Sequence, residues 1–198
     1  MLRLYWWWTT NPQKVRLALE ALGLEYELER VDLFSRAHHK PEYAELLPRK
    51  KLPALVLEDG VVLWESGAAL TWLGQSTGRL WPESPAEQAC ALNLLFMESG
   101  VFQEVASVFF FNRVVLPALG KAGDDDRIAK AAKKLTPLLK LLDGQLEETP
   151  FLMGDFSLVD CAFAPWLPAL PLDGFPRLAA WRERLQALPS WAACEFMY

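Results

Sequence analysis

The sequence predicts two folds in one chain, an α/β domain of about 75 residues followed by an all-α domain. Three features predict this. Short apolar runs alternate with helical periodicity up to residue 77. A link with two prolines in six residues, LWPESP, follows at 80–85. Beyond it no segment reads as a strand.

Leu2 to Trp8 reads as a buried strand, apolar, aromatic and too short for a helix. Asn11 suits a helix N-cap and Pro12 the first helical position. Val15, Ala18, Leu19 and Leu22 recur at helical spacing, and Gly23 ends the helix. Tyr26 to Asp32 is a second strand, parallel to the first because a helix joins them. Phe34 to Lys40 is a polar loop, and Pro41 starts a short helix through Leu47. Pro53 precedes the run Ala54 to Leu57, and Asp59-Gly60 turns it into Val61 to Trp64 as a hairpin. Ser66 then caps a helix that Gly78 stops. Strand, helix, strand, helix, hairpin, helix is the order of a thioredoxin-like domain. The boundaries read as 1–77 for this domain, 78–85 for the linker and 86–198 for a helical bundle. In the bundle, Ala86 to Val115 is one long helical stretch, kinked near Gly100. Asp124 to Leu146 is amphipathic with Pro137 inside it, Ser157 to Ala164 opens a third helix, and Pro176 to Leu188 forms the last.

Composition narrows the function. Apolar residues make up 52% of 198, enough for a sizeable core. A net charge of -5 argues against nucleic acid as a partner. No apolar run reaches the roughly 20 residues that span a bilayer, and Asn112 and Arg113 interrupt the nearest one, so no membrane partner is expected. MLRLYWWW lacks the pattern of a signal peptide. Cys90, Cys161 and Cys194 form no CxxC pair and no metal-ligand spacing, which suits a reducing cytoplasm and no metal.

Four segments carry a resemblance: TTNPQKVRLALEALGLEYE, LLPRKKLPALVLEDGVVLWESGAAL, FLMGDFSLVDCAFAPWL and LPLDGFPRLAAWRERL. In this order and spacing they resemble the cytosolic glutathione transferases over nearly the whole chain. The pattern is closest to the bacterial theta-, zeta- and nu-like branches, which use a hydroxyl residue near the N-terminus. The resemblance implies a cytoplasmic homodimer in detoxification, with glutathione as co-substrate and an apolar electrophile as partner. It also implies that Leu52, before a cis Pro53, pairs through its backbone with the cysteine unit of glutathione; an ordinary trans proline before a strand is the alternative. Glu65 can accept from the γ-glutamyl ammonium. Ser66 at a helix start can receive a carboxylate, and a plain cap is compatible with that. Lys51 and His38 are candidates for the glycine carboxylate, against a solvated charge run, and His39 stands beside His38.

In the hydroxyl-using branches the activating serine or threonine stands five residues before the basic residue of KVR, which here gives Thr9. Its hydroxyl would donate to the thiolate and lower the thiol pKa, with Asn11 as a second donor. The bland reading makes Thr9, Thr10 and Asn11 turn and cap residues. Trp6, Trp7 and Trp8 depart from the family pattern, and Trp8 stands where it can crowd the thiol. TTNP replaces the CxxC of thioredoxins, which argues against dithiol exchange. The electrophile pocket is expected between the domains, with Phe102, Phe109, Arg113 and Trp166 as candidates to line it. Conjugation of glutathione to an apolar electrophile is the first reading. A non-catalytic glutathione-binding module and a zeta-like isomerase are the alternatives. The isomerase branch shows Ser-Ser-Cys where this chain has Thr9-Thr10-Asn11.

Overall fold

The structure is a computed structural model describing residues 1–43, 46–194 and 196. The chain divides into two compact units: Met1–Trp81 together with the C-terminal segment from Leu188, and Pro82–Ala187.

The first unit is built on a four-stranded sheet in the order β2-β1-β3-β4. β1 (Leu2–Trp6) is parallel to β2 (Tyr26–Arg30) and antiparallel to β3 (Ala54–Val56), which pairs antiparallel with β4 (Val62–Leu63). β1 is buried except at Arg3, whereas β2 is an edge strand with Leu28 40% exposed. The expected first strand ran to Trp8, but pairing stops at Trp6 because β2 ends at Arg30. The Val31 N–H donates the last bond to the Trp6 carbonyl at 2.9 Å. The hairpin forms as expected. The Val61 N–H donates to Asp59 Oδ1 at 3.1 Å, and Gly60 takes φ 87°, which favours glycine.

α1 (Thr10–Leu22) begins two residues earlier than its sequence suggests. Thr9, extended at φ -73°, ψ 162°, holds the N-cap position, and its carbonyl accepts the Gln13 N–H at 3.2 Å. Asn11 therefore lies inside the first turn. Pro12 sits third, where a missing N–H costs no intrahelical bond. α2 (Ser66–Thr77) likewise has Glu65 at the N-cap position and Ser66 as its first helical residue. The expected helix from Pro41 forms one tight turn over Pro41–Tyr43; Ala44 and Glu45, which it also covers, lie outside the described residues. Trp81 packs against Gly74 so closely that a Cβ there would stand 2.7 Å from the indole, and Arg79 donates to the Leu22 carbonyl at 2.8 Å. Residues 79–81, expected in the linker, thereby join the first unit.

The second unit is helical. α3 (Pro85–Ala118) starts at a capping box formed by Ser84 and Glu87. Its two wide, π-type turns are Glu98–Phe102, which contains Gly100, and Phe111–Val115. Contrary to expectation, α3 is long and apolar enough to cross a membrane by length and composition, with a mean hydropathy of 1.4 in its most apolar window. Phe102, Val105, Ala106, Phe109 and Phe110 are buried along it, and buried Glu98 accepts from Trp166 Nε1 at 2.8 Å. A core helix of a bundle has this pattern. α4 (Asp125–Gln145) buries Ala131, Leu135, Leu139 and Leu142 and carries Pro137 internally. At the start of α5 (Leu158–Phe163) the Asp160 carboxylate accepts from the Ser157 N–H and hydroxyl, the Leu152 N–H and Trp181 Nε1 at 2.9–3.0 Å. Burial pushes its pKa up to about 6 against these four donors. α6 (Pro176–Gln186) completes the unit.

α7 (Pro189–Ala193) packs on α1, although the sequence places 188–198 in the helical bundle. Buried Arg16 donates to the carbonyls of Cys194 (3.0 Å) and Ala193 (2.8 Å), and Gln13 donates to that of Cys194 at 3.3 Å. These carbonyls close a helix C-terminus, the negative end of its dipole, and a guanidinium matches it.

Candidate active site

The register of the sheet gathers the candidate residues. β1 and β2 run in the same direction and end together at the pair Trp6–Arg30. β3 runs the opposite way and begins beside that end, with Ala54 opposite Tyr5. β4 reverses again and finishes there. The segments leaving or entering this one end of the sheet are Trp7–Thr10, the loop 32–40, Leu52-Pro53 and Trp64–Ser66. Thr9, Asn11, His38, Lys51, Leu52, Pro53, Glu65 and Ser66 all lie on them or next to them.

At the start of α1, Thr9 is half-buried and its hydroxyl does not cap the helix. Thr10 is 5% exposed. Asn11 is half-buried, and its Oδ1 is buried with no hydrogen-bond partner. Behind these residues stand Trp6, Trp7 and Trp8, all nearly buried. Trp6 Nε1 donates to Gln13 Oε1 at 3.2 Å and Arg16 lies 4.8 Å over its ring. Arg30 lies 4.8 Å over Trp7. Phe34 meets both Trp7 and Trp8 edge-on.

Leu52-Pro53 is cis, as expected. Among the described residues nothing hydrogen-bonds the Leu52 main chain, although its side chain is buried. Ser66 is 7% exposed, and no side chain caps α2, so the first N–H groups of that helix are open to an acceptor. Glu65 is not a free carboxylate: Arg49 Nη1 donates to its Oε1 at 2.6 Å, both side chains being more than half exposed. Lys51 is exposed. His38 is half-buried with a buried, unpartnered Nδ1, while His39 beside it is exposed. Desolvation, then the neighbouring His39, Arg36 and Lys50, hold the His38 pKa below the usual imidazole value.

The electrophile candidates all belong to the second unit. Phe102 and Phe109 have no exposed surface and are core residues of the second unit, Phe102 packing edge-on against Phe163. Trp166, 2% exposed, is tied to Glu98 and packs against Phe110. Arg113 donates to the Ala169 carbonyl at 2.9 Å and lies over the Phe109 ring. These four side chains form packing and polar ties within the bundle. Two surface hollows in that unit, of 380 and 210 Å³, include none of them. Arg49 and Phe34 were missed by the sequence reading. Arg49 lies in the positive run that includes Lys51, but its partner Glu65 is 16 residues away; no local pattern marks Phe34.

Residues 8–76 match the model of the glutathione S-transferase N-terminal domain and residues 103–189 that of the C-terminal domain. The chain is 34% identical to glutathione S-transferase 3 of Zea mays, over 91% of this chain and 87% of the relative. It is 30% identical to the disulfide-bond oxidoreductase YfcG of Escherichia coli strain K12, over 96% and 92%. The crystal structure of a glutathione transferase from Burkholderia graminis, with two glutathione molecules bound per subunit, superposes with a TM-score of 0.86 at 27% identity, covering 98% of this chain and 86% of that one. With a thioredoxin-like unit, a helical unit and both domain models matched in order, the chain belongs to the glutathione S-transferase family and is a glutathione S-transferase-like enzyme.

Proposed function

We propose that the protein binds glutathione at this end of the sheet and adds its thiol to an apolar electrophile, as a hydroxyl-type transferase of the theta-, zeta- or nu-like kind. The observation that carries the reading is the convergence at one sheet end of two open helix starts and a Leu52 backbone that is unbonded among the described residues. The Leu52 main chain would pair with the cysteine unit. Ser66 and the first N–H groups of α2 would hold the γ-glutamyl carboxylate, with Glu65 accepting from its ammonium. His38 and Lys51 would face the glycine carboxylate. Thr9 would donate its hydroxyl hydrogen to the thiolate, and the positive end of α1 would favour that charge, with Asn11 as a second donor. The thiolate then attacks the electrophilic carbon, the C–S bond forms and the leaving group departs with its electron pair. Cytoplasmic location and a homodimer belong to the same proposal, drawn from the family.

A second reading has support in the relative named as a disulfide-bond oxidoreductase and in the neighbour with two bound glutathiones. There the thiolate attacks a disulfide sulfur, and a second glutathione displaces the remaining thiol. The loop TTNP supplies no protein cysteine, so both electrons come from the two glutathiones. Retention on immobilised glutathione tests the site. Turnover of an aryl halide with glutathione supports the transferase. Reduction of a small disulfide without aryl halide turnover selects the oxidoreductase. Binding with neither turnover selects a non-catalytic module.

A further inference from the structure

We infer that Phe34 is a positioning residue: its ring, set edge-on against Trp7 and Trp8, holds the His38-bearing loop in place beside the start of α1 and thereby sets the affinity for glutathione. The inference rests on the glutathione site proposed above.

Bonds within the loop fix its shape. Asp32 Oδ1 accepts the N–H groups of Phe34 (2.8 Å) and Ser35 (3.3 Å), and the Asp32 carbonyl accepts the Ala37 N–H at 3.0 Å. Arg36 turns the chain at φ 60°, and Ala37–His39 is a tight turn closed by the Lys40 N–H on the Ala37 carbonyl at 3.0 Å. Every one of these bonds is internal, so together they define a small rigid body without fixing where it lies. Beyond the loop, Tyr43 packs edge-on against Tyr5 at 6.1 Å; within it, the Phe34 ring supplies the placement. Its centroid lies 5.9 Å from Trp7 at 82° and 5.6 Å from Trp8 at 74°, the edge-to-face geometry that aromatic quadrupoles favour. Trp8 precedes Thr9 directly, and Phe34 stands four residues before His38. One ring thus bridges the thiol end of the site to its cationic end. With 43% of its surface exposed, Phe34 is not required for the core, so the tie can be cut without emptying it.

The test compares the full chain with Phe34→Ala and Phe34→Tyr. Trypsin cuts after Arg36 but not at the Lys40–Pro41 bond, so cleavage at Arg36 in the absence of ligand reads the placement of the loop directly. Phe34→Ala should speed that cleavage and raise the glutathione dissociation constant, each by about fivefold to tenfold, the scale of losing two aromatic contacts. The kcat at saturating glutathione should change by less than about twofold, because Thr9 and the start of α1 are untouched. Phe34→Tyr, which keeps the ring, should restore both readouts. An unchanged dissociation constant in Phe34→Ala overturns the inference whatever the cleavage rate. So does a loss of kcat that matches the loss of affinity, or a failure of tyrosine to rescue. If the unmodified protein binds no glutathione while Phe34→Ala still cleaves faster, the clamp stands and the ligand assignment falls.

Discussion

The starts of α1 and α2 offer the same backbone device in opposite surroundings. At α1 the first turn carries buried Thr10 and Pro12 and an unpartnered buried amide oxygen on Asn11, and three tryptophans stand behind it. At α2 the cap residue Glu65 is exposed and ion-paired with exposed Arg49, and Ser66 is buried but Gly67 and Ala68 are not. In the drier setting a helix dipole and a single hydroxyl act on a charge with little screening, which suits a reacting thiolate. In the wetter one the same N–H groups are screened and shared with mobile ions, which suits holding the charged ends of a peptide. The contrast teaches that two identical helix ends are told apart by what lies around them.

The largest effect should appear at α1. Thr9→Ala should lower turnover near neutral pH by about ten- to a hundredfold and raise the pKa of the bound thiol, read from thiolate absorbance, with glutathione affinity almost unchanged. Thr10→Ala should change turnover far less, because Thr10 is buried away from the open position; the reverse order would erase the distinction between the two threonines. At α2 the balance inverts: Ser66→Ala should weaken glutathione binding by about 1–2 kcal/mol, seen calorimetrically, and leave the thiol pKa in place. A shift of that pKa would mean that the two helix starts act as one site.

A smaller effect is expected from His38. Its pKa lies below the usual imidazole value, so it is neutral near pH 7.5 and gains its charge only as pH falls through that lowered value. Affinity for the glycine carboxylate should rise at the acid end by at most about fivefold, the scale of one exposed ion pair, and His38→Asn should flatten the trend. Rising affinity with rising pH would place the carboxylate elsewhere. The smallest effect should come from Asn11→Ala on stability. Because Thr9 holds the N-cap position, no cap is lost, and the melting free energy should move by less than about 0.5 kcal/mol. A loss near 1 kcal/mol or more would return Asn11 to the capping role its sequence suggests.

The amino-acid order by itself determined whatever short-range physics decides. Asp59-Gly60 made the hairpin, Gly23 and Gly78 closed α1 and α2, and Ser157 with Asp160 started α5, because each depends on residues within a few positions of one another. The span of α3 was legible for the same reason. Tertiary structure decided the rest. Pairing with β2 ended β1 at Trp6 and released Trp7 and Trp8 toward Phe34. Bundle packing buried Phe102 and Phe109, which a helical sequence cannot distinguish from pocket residues. Arg49 reached Glu65 across the sheet end, and Arg16 drew α7 back onto α1 from 177 positions away. Such partners are invisible in the sequence because an aromatic face or a guanidinium fixes no partner until the backbone has brought candidates within a few ångströms.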